Sequence, residues 1–452
     1  MLGMVKKMAP IVIYVIAWIL CLRALGGKNK MALLFIIAMT PLRNVIERLQ
    51  IYPLGRDLLD VMLVAVLIGW ILQSANQGKK AAGGSPIYIF ALLMIGYTFF
   101  STIYGSFYLG TRDIFSFADP RVQSWKNLVT MPLIFFLTFN TMTERKWIWR
   151  TVMVMCLSMF LMDAYLMRQI AWFSSIVSRT KIKGTFVYLG PNEIAAFYNQ
   201  FTVLLGSLFL FTRNKLWKIG LFWLILMNLY CVMFLFSRAA YIGLAVGLFL
   251  LFLIKDKKLL VLLIVVIIGW QTALPDKVQE RINMTTDNFG ELDKSSRHRI
   301  LLWENSIDYF QKNPVFGVGY GTFPSLHYGL KDAHNIYLEI LVEQGLLGMV
   351  VFLLLLLCLF TQGLRLYARG DDENAKGLGL GFALCIIVLM VNNFFGDRWT
   401  YPEVNTFLWA FAGLVARLIV DSSKFVPVRK KGDHVKTPRS VQKNPGRSKG
   451  LA

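Results

Sequence analysis

The chain has few residues that could do chemistry, and most of them sit near apolar runs. Four histidines occur in 452 residues. One of them, His334, opens a long apolar stretch and has Asp332 two residues before it as a candidate helix cap. An imidazole that titrates near neutrality can take a proton from a hydroxyl at such a water boundary. Asn335 follows it directly. Glu339 and Glu343 come next at i, i+4 spacing and share one helix face, so both must point into the bundle or a wet cavity. Glu339 lies five residues after His334, about 140° around a helix, so it need not touch the imidazole directly. Gly345 and Gly348 lie one turn further on, where they would let another helix approach closely. The bland reading of the histidine is a structural helix start.

Cations form the second group. Ser237-Arg238 falls between two apolar runs with almost no loop, so Arg238 is poorly hydrated and needs an anionic partner. Ser296-Arg297-His298-Arg299 precedes Trp303. Arg179, Lys181 and Lys183 precede Gly184-Thr185-Phe186, and Gly190-Pro191-Asn192-Glu193 opens another helix. Several arginines facing few acids suit a diphosphate, because the guanidinium fork matches phosphate oxygens. The bland reading of each is snorkelling or a structural ion pair. The chain contains no Walker motif, HExxH, GxSxG or Asp-x-Asp pair.

The elements that position these groups are membrane spans. The chain is 56% hydrophobic and 16% charged, against about 25% charged in soluble domains. This excludes a soluble, collagenous or disordered protein. Apolar runs at 9–25, 58–73, 86–104, 127–141, 147–167, 193–212, 216–236, 239–254, 259–274, 335–360, 377–395 and 404–420 predict an all-α, polytopic integral membrane protein with about twelve transmembrane helices. Segment 31–42 reads as a re-entrant half-span or a thirteenth crossing. The five cysteines lie in or beside these runs without a CxxC pair and read as small hydrophobes, not a disulfide or zinc set.

Basic loops mark the cytoplasmic side: Glu144-Arg145-Lys146, Arg213 to Lys218, Lys255 to Lys258, with Lys79 and Lys80. The twelve-span count puts both termini inside and the soluble stretch 275–334 outside. Arg23, Lys28 and Lys30 then fall outside, against the rule. Within 275–334, Ile300, Trp303, Ile307 and Phe310 predict an amphipathic helix from Ser295 to Phe310. Asn313 to Gly321, with Pro314 and three alternating glycines, predicts a tight turn with exposed backbone. Residues 1–421 read as one transmembrane catalytic domain. Residues 422–452 hold nine basic residues against Asp433 and read as a disordered cytoplasmic tail. The net charge of +22 is therefore a topology signal, not a nucleic-acid-binding one.

These motifs, in this order, resemble the O-antigen ligase and polymerase superfamily of bacterial membrane glycosyltransferases. His334-Asn335, nine residues, Gly345, two residues and Gly348 match its H-[NSQ]-x9-G-x-x-G pattern. Gly184-Thr185-Phe186 with Pro191-Asn192, Ser237-Arg238, Arg299-x3-Trp303, and Asn313-Pro314 with Gly317 to Gly321 look like its remaining motifs. The resemblance covers about 184–348. It implies a GT-C-like enzyme with a periplasmic helical loop, in the bacterial inner membrane. Such an enzyme inverts the anomeric centre, needs no metal or other cofactor, and takes glycans from undecaprenyl diphosphate. The acceptor is the lipid A–core of lipopolysaccharide in a ligase and another lipid-linked repeat in a polymerase. It further implies His334 as base, Arg238 and Arg299 on the diphosphate with Arg297 in reserve, and Glu339, Asn335 and Asn192 in support. A polysaccharide transporter is the competing class. It fits less well, because no duplicated halves are evident and the candidate residues cluster on one side.

Overall fold

The computed structural model describes residues 2–78, 84–111, 116, 118–173, 177–284, 294–326 and 333–423. Among these, every regular element is a helix. Helix α1 (Leu2–Leu25) and the short α2 (Asn29–Met39) lead through the single turn α3 (Arg43–Ile46) to α4 (Leu58–Asn76). Then come α5 (Ile87–Tyr108), α6 (Pro120–Thr141), α7 (Arg145–Trp172), α8 (Pro191–Phe211), α9 (Lys215–Phe234) and α10 (Arg238–Lys255). Helix α11 (Lys257–Ile268), the turn α12 (Trp270–Ala273), α13 (Asp276–Asn283), the amphipathic α14 (Lys294–Lys312) and the turn α15 (Phe323–Leu326) follow. The last three are α16 (Ile336–Arg369), α17 (Glu373–Asn393) and α18 (Pro402–Ser423).

Each apolar run in the sequence becomes a helix. Nine of the described helices are long and apolar enough to cross a membrane: α4, α5, α7, α8, α9, α10, α16, α17 and α18. The apolar part of α1, α2 and α11 are shorter, and α6 begins with the polar Arg121, Gln123, Ser124 and Lys126. The expected helix over 295–310 is α14.

Helices α8, α17 and α18 form the centre, and α4, α5, α9 and α10 turn most of their surface outward. In a bilayer the lipid is as apolar as the side chains, so close packing does more than apolar burial. Helices α16 and α17 meet at Gly363 and Gly379, where a Cβ on Gly363 would stand 2.9 Å from the Gly379 carbonyl oxygen. Aromatic rings fill the centre: Phe407 packs against Phe197 and Phe201, each at 5.5 Å between ring centroids.

The N-terminal helices depart from the twelve-span expectation. Tyr14 stacks on Tyr52 at 4.9 Å and donates to the Pro53 carbonyl. Ala24 lies against Gly69, and Gly27 against Gln73. Helix α1 therefore runs parallel to α4, not antiparallel. Lys30 pairs with Glu144, which places Arg23 to Lys30 at the end that holds the other basic loops. Helix α2 then returns the chain, and Thr40 after it lines a cavity at the opposite end. The basic cluster that broke the charge rule thus obeys it, and the N-terminal end of α1 lies opposite the C-terminal end of α18. Lys79, Lys80 and residues 424–452 of the tail lie outside the described residues.

Candidate functional site

His334 stands at the start of α16 with φ +50°, a left-handed conformation that a non-glycine residue adopts only under constraint. The constraint is visible on both sides. Before it, the Ala333 carbonyl accepts from the Trp303 indole at 3.1 Å, and the Ala333 N–H donates to Glu339 Oε2 at 3.3 Å. After it, Asn335 caps α16 by accepting from the N–H groups of Tyr337 at 3.0 Å and Leu338 at 3.3 Å. The cap is therefore Asn335. Asp332, the sequence candidate, lies outside the described residues. Glu339 holds the residue beside His334, in keeping with the 140° offset.

Trp303 also ties the histidine to a cation, since Arg299 lies one turn earlier on α14. Arg299 belongs to a cluster of four arginines. Arg179, in the 3-10 turn Val177–Lys181, is half-buried and its pKa falls to about 10. Loss of hydration is the main cause, and the charges of Arg281, Arg238 and Arg299 add to it. Arg179 and Arg281 both donate to the Phe236 carbonyl, Arg281 at 3.1 Å, and Phe236 itself has φ +51°. Arg238 begins α10 one residue after Ser237 and donates to the Met284 carbonyl at 3.1 Å. Asn192 Oδ1 stands 3.5 Å from Arg179 Nη2, which brings it to the cluster's edge. Arg297 is exposed. Two residues from Arg299 it points about 200° away around the helix.

Of the sequence-derived set, the fold thus groups Arg238, Arg299 and Asn192, and it ties Ala333, the neighbour of His334, to Trp303, one helical turn from Arg299. Arg297 stays outside the cluster. Arg281 is a member that the sequence reading missed, and Arg179 was noted there only as one of three basic residues. Arg281 follows Glu280, so local charge balance hid it. The signal lay in the carbonyls left open by the tight 235–237 turn.

The region around Gly345 also differs from expectation. Gly345 has φ +64° and breaks α16. A Cβ there would stand 2.2 Å from the Val315 carbonyl oxygen. At Gly345 the close partner is the Pro314–Gly319 segment, not another helix, whereas at Gly348 a Cβ would stand 3.0 Å from the Tyr97 ring of α5. Val318 N–H bonds Val342 O at 2.9 Å, Gly319 N–H bonds Glu343 O at 2.7 Å, and Leu346 N–H bonds Pro314 O at 2.9 Å. The segment's backbone is thus bonded rather than exposed. It satisfies groups freed by the break, as a discontinuous helix requires. Glu343 Oε1 in turn accepts from Phe323 N–H at 2.9 Å.

Beside this lies a cavity of about 1010 Å³. Glu339 and Glu343 line it, as their shared face required, together with Asp397, Tyr320, Arg121 and Arg56. Arg121 is forked to Asp119, which holds that carboxyl below the usual carboxylate range. The site therefore combines a cluster of arginines suited to an anion with a polar cavity, and Ala333, beside the constrained histidine, bonds Trp303 on α14 and Glu339 of the cavity wall. No cluster of three or more His, Cys, Asp or Glu side chains that could hold a metal occurs among the described residues.

Comparison with known proteins follows the same segment. Residues 221–353, from α9 into α16, match a family model described as O-antigen ligase. The chain is similar to an uncharacterized protein of Haemophilus influenzae, 31% identical over 150 residues, which amounts to 27% of this chain and 37% of that protein. The chain thus spans well under half of that relative's length.

Proposed function

Since the chain carries the O-antigen ligase domain and so belongs to the O-antigen ligase and polymerase superfamily, we propose that it is an inverting glycosyltransferase. It moves a glycan from undecaprenyl diphosphate to an acceptor hydroxyl, at the end of the bundle that holds the cavity. The observation that carries this reading is the arginine cluster one helical turn from the Trp303–Ala333–His334 contact. In the proposed step His334 takes the acceptor hydroxyl proton. The hydroxyl oxygen attacks the anomeric carbon, and the bond to the lipid diphosphate breaks. Arg179, Arg238, Arg281 and Arg299 offset the charge that develops on the leaving diphosphate, the electrostatic term such sites depend on most. Because the diphosphate linkage already activates the sugar, the step is metal-independent and uses no ATP.

The Lys/Arg bias of the opposite loops supports a periplasmic face for this end and a cytoplasmic C-terminus, in the inner membrane of a bacterium. Residues 1–421 form the catalytic unit. The proposed acceptor is the lipid A–core of lipopolysaccharide, and a polymerase acting on a second lipid-linked repeat is the alternative within the superfamily. A carrier is the weaker reading, because the arginines gather at one end of the bundle and not at its middle.

The test is reconstitution of the purified protein with an undecaprenyl-diphosphate-linked glycan, both acceptors and a chelator. Product on lipid A–core marks a ligase, and a ladder on the lipid carrier marks a polymerase. Absence of transfer with both acceptors, chelator omitted, contradicts the reading.

A further inference from the structure

The cavity has a chemistry of its own. Its lining includes seven carboxyl side chains against four cations. Two of those cations are already matched, Arg121 by Asp119 and Lys126 by Asp60 at 2.6 Å. Part of its wall is formed by Glu339, Glu343 and Asp397, beside Tyr320. Asp397 Oδ1 accepts from Trp399 N–H at 2.7 Å and Thr400 N–H at 3.0 Å, which fixes the carboxyl in place. Ionised carboxyls only accept hydrogen bonds, and sugar hydroxyls donate them. One donor is also held ready: the Arg121 side chain is 7% exposed, and its Nη1 is buried without a hydrogen-bond partner. Buried donors of that kind are costly unless something meets them.

We propose that this cavity is the acceptor's site, and that its carboxyl-rich wall selects a glycan carrying no phosphate or carboxylate on the sugars next to the reacting hydroxyl. The proposal rests on the transferase reading. Its geometric link is Glu339, which lines the cavity and also bonds the Ala333 N–H beside His334. A hydroxyl bound against Glu339 therefore lies near the segment that carries the proposed base. The anionic diphosphate goes to the arginine cluster, and the acceptor goes to the acidic cavity. A phosphate placed against the same carboxyls meets like charge in a partly desolvated site, which disfavours it by about tenfold or more.

The test uses the full chain in lipid nanodiscs with an undecaprenyl-diphosphate-linked glycan as donor. Two synthetic acceptors are compared, one alkyl oligosaccharide with and one without a phosphate on the sugar next to the acceptor hydroxyl. The expected result is a kcat/KM at least about tenfold higher for the neutral acceptor, expressed mainly in KM. Asp397→Asn keeps an oxygen for Trp399 and Thr400 but removes a charge, and it should narrow that preference about threefold or more. Glu343→Gln should do the same where Asp397→Asn fails to insert. Equal or faster use of the phosphorylated acceptor overturns the proposal and leaves the transferase reading standing. So does a preference unchanged in both variants. No transfer to either acceptor overturns the transferase reading, and this proposal with it.

Discussion

In the proposed transfer, His334 and the four arginines divide the work at the residue scale. The histidine's left-handed backbone is held by Trp303, Glu339 and Asn335, none of which needs to touch the imidazole. Arg179 has lost hydration, sits among like charges and so lies poised for an anion. Arg179→Lys should weaken donor binding about tenfold, because an ammonium cannot fork both the diphosphate and the Phe236 carbonyl. A fluorescent lipid-diphosphate binding assay measures this, and an unchanged affinity would remove Arg179 from the site. His334, Arg238 and Arg299 were legible as candidates by residue type and spacing, and their assignment as base and diphosphate partners comes from the family resemblance. Arg281 was not legible, since its role depends on where the Phe236 carbonyl lies in space.

At the scale of elements, the break in α16 joins two motifs that look separate in the sequence. The glycines of 317–321 and Gly345 meet as one backbone-to-backbone junction, which holds Glu343 and Tyr320 at the cavity. Gly345→Ala combines a positive φ with a Cβ 2.2 Å from a carbonyl oxygen. It should cost about 2–4 kcal/mol of stability, read as loss of the folded fraction in a detergent thermal-unfolding assay. A melting temperature within about a degree of wild type would contradict the junction. Periodicity showed that α16 is a long helix but not that it breaks, because a glycine inside an apolar run fits either case.

For the whole molecule, apolar runs and basic loops disclosed the all-helical membrane architecture and most of the directions in which helices run. At the N-terminus they left a half-span and a thirteenth crossing both open, because α2 has only 11 residues, too few to register as a crossing by length. Packing of α1 along α4 supplies what length could not. In a chain whose five cysteines are replaced, Lys28→Cys should resist a membrane-impermeant thiol reagent added outside intact cells, and Ile51→Cys should react. Labelling at both positions would restore the twelve-span order. With Arg23, Lys28 and Lys30 moved to the basic end, the described basic loops gather on one side of the bundle. The other side recognises charge through a few placed groups.

The most direct test of the account separates proton transfer from binding. Donor affinity and the single-turnover rate of glycan transfer are measured side by side in wild type and His334→Ala. The account expects donor affinity within about threefold of wild type and a transfer rate lower by about 10² to 10⁴, the range that a positioned general base supplies. A variant that transfers glycan within about tenfold of the wild-type rate would contradict it.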